Sequence, residues 1–88
     1  MTKQTVGKTV RTAIRDQHSW MAEGNHFDQV RNLLEKAGFV LAEADTYAAD
    51  LNIRDAVYTH RDLQGQAVHV TVAEFMGEFT DLQFKPHP

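Results

Sequence analysis

The 88-residue sequence contains no cysteine, one serine, two prolines and five glycines. Without cysteine there is no disulfide scaffold, thiolate zinc site, iron–sulfur cluster or cysteine nucleophile. Both prolines, Pro86 and Pro88, fall at the C-terminal end, so no proline-rich linker divides the chain. The glycines at positions 7, 24, 38, 65 and 77 are dispersed, and no loop has the glycine density that cradles a phosphate chain. The longest purely apolar run, Phe39-Val40-Leu41-Ala42, is far too short to span a bilayer. No signal-peptide core follows the N-terminus, and a cytoplasmic setting is expected. A chain of this length buries only roughly 60–65% of its unfolded surface, which leaves little core for a deep pocket.

Charge of one sign is missing locally. Residues 1–15 carry Lys3, Lys8, Arg11 and Arg15 with no acid, a balance of +4. The other 73 residues carry five Lys or Arg against twelve Asp or Glu, a balance of −7. Such asymmetry marks either a basic arm that seeks phosphate or a helix that docks on an acidic partner. It also arises when one helix simply lies over its own acidic domain.

The hydrophobic pattern predicts a single α+β domain over 1–88, with two N-terminal helices packed on one face of an antiparallel sheet of three or four strands. A basic amphipathic helix is expected within 1–24, with Val6, Val10, Ala13, Ile14, Gln17, Trp20 and Met21 in one stripe. Gly24 then ends it, and Asn25 caps a second helix within 25–38, with Asp28 in its first turn. Phe27, Val30, Leu33, Leu34 and Ala37 form the buried side of that helix. Gly38 suits the left-handed position after it, with Phe39 folding back on Leu34. From Phe39 the period becomes two, giving a sheet region over 39–84 and a tail over 85–88. Strands are expected at 39–44, 53–60 and 67–73, with a loop or helical turn over 45–52. The segment holding Phe75, Met76, Phe79, Leu82 and Phe84 fits a short helix followed by a strand. In the hairpin, Asp62-Leu63-Gln64-Gly65 reads as a type I turn with a glycine bulge, which pairs His60 with Val68 and Thr59 with His69.

Candidate chemistry is sparse. The five histidines, His18, His26, His60, His69 and His87, form no His-x-x-x-His or His-Glu-x-x-His pair. His60 is expected at the edge of the core and His69 on the other sheet face, so no metal site is expected. Ser19 directly follows His18, and adjacent side chains on a helix diverge by about 100°, too far apart for a hydroxyl–imidazole dyad. Asp45, Asp50 and Asp55 lack the central glycine and terminal glutamate of a calcium loop. No catalytic residue, cofactor or enzymatic activity is expected.

Leu33-Leu34-Glu35-Lys36-Ala37-Gly38-Phe39, with Tyr58-Thr59-His60-Arg61, Gly65 and Val68-His69-Val70-Thr71-Val72, resembles the HicA-type toxins, small RNA-cleaving proteins with a double-stranded-RNA-binding-like fold. The resemblance covers roughly residues 27–72 and implies shared helix–strand–hairpin architecture. The family's catalytic Gly-Ser-His segment is absent, with Asp45-Thr46-Tyr47-Ala48 near its place, so His60 is not a matched catalytic residue. The C-terminal Gly-Thr-Leu helix is missing too. In kind, an acidic, cysteine-free chain of this size is similar to small inhibitors carried by phages and plasmids.

These features lead to the expectation of a binding protein that works by protein–protein contact, as an inhibitor or regulator of a nucleic-acid-handling complex. The mechanism would be steric and electrostatic occlusion by Glu43, Asp45, Asp50, Asp55, Asp62, Glu74 and Glu78. Trp20, Tyr47, Phe79 and Phe84 are the candidate apolar anchors. The alternative is weak nucleic-acid binding by Lys3, Lys8, Arg11 and Arg15. Pairing of copies along an unpaired strand edge is a third arrangement, and no membrane partner is expected.

Overall fold

Helical periodicity at the N-terminus lasts for fourteen residues and then breaks. In the computed structural model, which describes residues 3–48, 53–74 and 78–86, helix α1 spans Lys3–Asp16. It ends without a glycine. Gln17 takes the left-handed conformation at φ 55°, the His18 N–H donates to the Ala13 carbonyl at 3.1 Å, and the Gln17 N–H donates to Ile14 at 3.3 Å. This is a Schellman closure with glutamine in the glycine position. The expected helix within 1–24 is therefore corrected: Trp20–Glu23 forms a strand, β1, and Gly24 ends that strand rather than a helix.

Helix α2, Phe27–Lys36, follows most of the anticipated pattern, with Phe27, Val30 and Leu34 buried and Leu33 half-buried; Ala37, expected on the buried side, is instead exposed just past the end of the helix. Its first cap residue is His26, not Asn25; the Asn25 side chain instead accepts the Phe27 N–H at 3.2 Å. At the other end Gly38 is left-handed, and the Phe39 N–H donates to the Leu34 carbonyl at 3.0 Å, the expected closure. Strands β2 (Val40–Ala48), β3 (Ile53–Thr59), β4 (Gln66–Glu74) and β5 (Glu78–Pro86) complete the chain. The expected loop at 45–52 is strand as far as Ala48, and 49–52 lie outside the described residues, as do 75–77.

The sheet has five strands, not three or four, in the antiparallel order β1-β5-β4-β3-β2. The added strand is β1, which pairs Trp20 with Leu82 and Glu23 with Phe79. Cross-strand partners share a face, so one row runs Ala56, Val70, Leu82, Trp20 and the next runs Tyr58, Val68, Phe84. These residues join Val6, Val10 and Ala13 of α1 and Phe27, Val30 and Leu34 of α2 in one apolar cluster. The hairpin register differs from the expected one by two residues: Tyr58 pairs with Val68 and Val57 with His69. The connection is longer than a single turn, with Leu63 N–H donating to His60 O and Gln66 N–H to Leu63 O. Because the slip is two, every side chain keeps its expected face.

Two left-handed glycines separate conformational from steric cost. Gly65, at φ 76°, has open space where a Cβ would sit, whereas at Gly38, φ 94°, a Cβ would lie 3.0 Å from His60 Nε2. Gly65→Ala is expected to cost about 1 kcal/mol and Gly38→Ala about 2 kcal/mol, because only the latter must also displace the imidazole from Phe39. Urea unfolding of both variants checks the order.

Candidate partner-binding surface

Of the seven candidate acids, Asp55, Asp62 and Glu78 stand at separate places in the fold. Asp55 stands on β3, on the sheet face opposite the core row. Asp62 lies in the β3–β4 connection at the end of the molecule, 3.7 Å from His60 Nδ1 and 4.0 Å from Arg61 Nε. Glu78 opens β5, is exposed, and accepts the Gly24 N–H with its backbone carbonyl. Glu43 and Asp45 belong to β2 and Glu74 ends β4; Asp50 lies outside the described residues.

The basic set is closer together. Lys3 begins α1, and Lys8, Arg11 and Arg15 are exposed along it. Arg15 is already engaged, with Nε 3.0 Å from Asp16 Oδ1 and Nη2 3.3 Å from Oδ2. That hydrogen bond, with the charge behind it, raises the Arg15 pKa and lowers that of Asp16. Asp16 thus offsets part of the positive charge of the arm.

What the sequence missed lies on the outer sheet face. Register aligns Asp55 (β3), Thr71 (β4), Asp81 (β5) and Met21 (β1) in a single row across four strands. The Thr71 hydroxyl donates to Asp55 Oδ1 at 2.9 Å, and the Gln83 amide donates to Asp81 Oδ2 at 2.7 Å. Both carboxylates are thus held by neutral donors, and among the described residues no cation pairs with either. Beside them Met21 is 67% exposed and Phe79 37% exposed. The adjoining row is Val57, His69, Gln83. Of the other anchor candidates, Trp20 and Phe84 are half-buried against the core, and Trp20 Nε1 donates to Thr9 Oγ1 at 2.9 Å; Tyr47 lies in β2.

The groups that invite chemistry have structural partners. His60 packs against Phe39 in a tilted arrangement with ring centroids 4.9 Å apart, and its Nδ1 accepts the Asp62 N–H at 3.1 Å. His18 and Ser19 lie beyond α1, not on it; the imidazole Nδ1 is 3.0 Å from the Ser19 carbonyl. His26 Nε2 donates to the Glu23 carbonyl at 2.8 Å. Among the described residues no group of three or more His, Asp or Glu could hold a metal ion, and no helix is long and apolar enough to cross a membrane. Comparison with known proteins found no matching family model, no curated protein and no solved structure that matches this chain.

Beneath α2, Tyr58 is fully buried and its hydroxyl is bound at both ends. Arg31 Nε donates to Tyr58 Oη at 2.8 Å, and Tyr58 Oη donates to Glu35 Oε1 at 3.2 Å. Burial pushes the Tyr58 pKa above its ordinary value of 10.0, against the opposing pull of Arg31. Above that pH the folded state retains a proton that the unfolded state releases, so this contribution to stability is complete below it and falls as pH rises. Stability measured by denaturant titration should decline from pH 10.0 upward, and Tyr58→Phe should remove that part of the decline.

Proposed function

We propose that this chain is a small non-enzymatic binding protein that acts by protein–protein contact through the outer face of its sheet. The supporting observation is the row Asp55–Thr71–Asp81–Met21, in which two carboxylates with no cation partner among the described residues stand beside exposed Met21 and Phe79. A face of that kind binds by combining apolar anchors with directional charge, and it needs no pocket. The partner class that fits is a cationic surface, such as the nucleic-acid groove of a complex that handles DNA or RNA. The protein then inhibits or regulates by covering that groove. Of the seven acids expected from sequence, Asp55 belongs to this row, and Asp81 is its second carboxylate.

The nucleic-acid reading of the α1 arm loses weight because Arg15 is paired with Asp16. Lys8 and Arg11 remain exposed, and so few phosphate contacts give weak, strongly salt-dependent binding.

Immobilised protein should retain a macromolecular partner from host lysate, and Asp55→Lys/Asp81→Lys should abolish retention while leaving the unfolding midpoint near that of the parent. In the same series, a generic duplex or RNA should show no mobility shift at about 150 mM salt. Salt-sensitive binding to nucleic acid that disappears in Lys8→Ala/Arg11→Ala/Arg15→Ala would reverse the assignment in favour of α1.

A further inference from the structure

The spacing of the outer-face carboxylates specifies more than a positive charge. Asp55 and Asp81 sit on β3 and β5, two strand widths apart, so their Cα atoms are separated by about 10 Å. Met21 lies one strand further along the same row. The row runs across the strands, roughly perpendicular to them, and each carboxylate is oriented by its neutral donor, Thr71 or Gln83. An α-helix rises about 1.5 Å per residue, so side chains seven apart are separated by about 10.5 Å and point within about 20° of one another. A side chain four residues further on returns to the same direction and reaches one strand beyond.

We propose that the occupant of this face is a basic amphipathic helix of a partner protein, laid across the strands. Its arginine or lysine residues at positions i and i+7 meet Asp55 and Asp81, and an apolar residue at i+11 rests on Met21 and Phe79. This rests on the reading of the outer face as the partner surface and adds the form of the partner. Charge complementarity argues for a cationic occupant, because the described residues supply no cation to either carboxylate. The exposed apolar pair argues against nucleic acid, whose backbone would bring phosphate against Asp55 and Asp81. A second copy meets only half of the requirement. Its α1 offers Lys8 and Arg15 seven residues apart, but Arg15 is held by Asp16, and position i+11 falls on Ser19, a polar residue beyond the end of the helix.

The probe is a fluorescently labelled, alanine-rich helical peptide with Arg at i and i+7 and Leu at i+11. An isomer of equal composition carries Arg at i and i+4. Anisotropy titration against the intact protein should show the i, i+7 peptide binding about tenfold more tightly than its isomer, with Asp55→Asn/Asp81→Asn removing the difference. Asparagine keeps an acceptor oxygen for Thr71 and for Gln83, so the fold is preserved while the charge is lost. Amide shifts induced by the peptide should fall on Met21, Thr71, Asp81 and Gln83. Met21→Ala should weaken binding about threefold without altering the preference for spacing. Equal affinity for both isomers, indifference to Asp55→Asn/Asp81→Asn, or shifts centred on α1 would overturn the inference. So would concentration-dependent sedimentation of the protein alone that Asp55→Asn/Asp81→Asn abolishes, since the face would then belong to a second copy. If partner retention from lysate still depends on Asp55 and Asp81 while the isomers bind alike, the helix inference falls and the outer-face reading stands.

Discussion

The hydroxyl of Thr80 holds the topology together. It is fully buried, donates to the Gly24 carbonyl at 2.7 Å and accepts the His26 N–H at 2.8 Å. Strands β1 and β2 adjoin in sequence yet occupy opposite edges of the sheet, so the chain must leave β1 and cross over through α2. That departure exposes two backbone groups which neither the β1 ladder nor the first turn of α2 satisfies, and unpaired buried groups are costly. One side chain from the adjacent strand satisfies both. The Gly24 N–H to Glu78 carbonyl bond closes the same corner from the backbone.

With that corner fixed, the two sides of the sheet acquire different work. The row that contains Ala56, Val70 and Leu82 is fully covered, and it takes the apolar faces of both helices into one cluster. The row that contains Asp55, Thr71 and Asp81 carries hydrogen bonds along the surface instead. The chain's uneven charge is distributed accordingly: cations line α1, and the outer face presents carboxylates supported by neutral donors.

How much of this is legible in the sequence depends on length and on punctuation. Helix α2 and its closure at Gly38 are legible because period and left-handed glycine agree over 27–39. The faces of β3 and β4 are legible because alternation survives even a slip of two residues. Strand β1 is not, since four residues are too few to establish a period and Trp20 and Met21 extend the helical stripe of α1. The break at Gln17 carries no glycine to announce it. The outer-face row was hidden for the same reason: two of its members, Met21 and Asp81, lie in the segments whose type the pattern misjudged or left open. Its existence depends on pairing between distant strands, which no local window contains.

That pairing also sets an order on folding. Among the described residues strand β1 has β5 as its only ladder neighbour, and Trp20 meets Leu82 across more than half of the chain. Closing so long a loop is entropically expensive until the intervening hairpins exist to reward it. The β3–β4 and β4–β5 ladders, built from neighbours in sequence, can form first, and β1 is then added as the final strand. During synthesis α1 and β1 therefore emerge before β5 and wait, with Trp20 uncovered, for that partner strand.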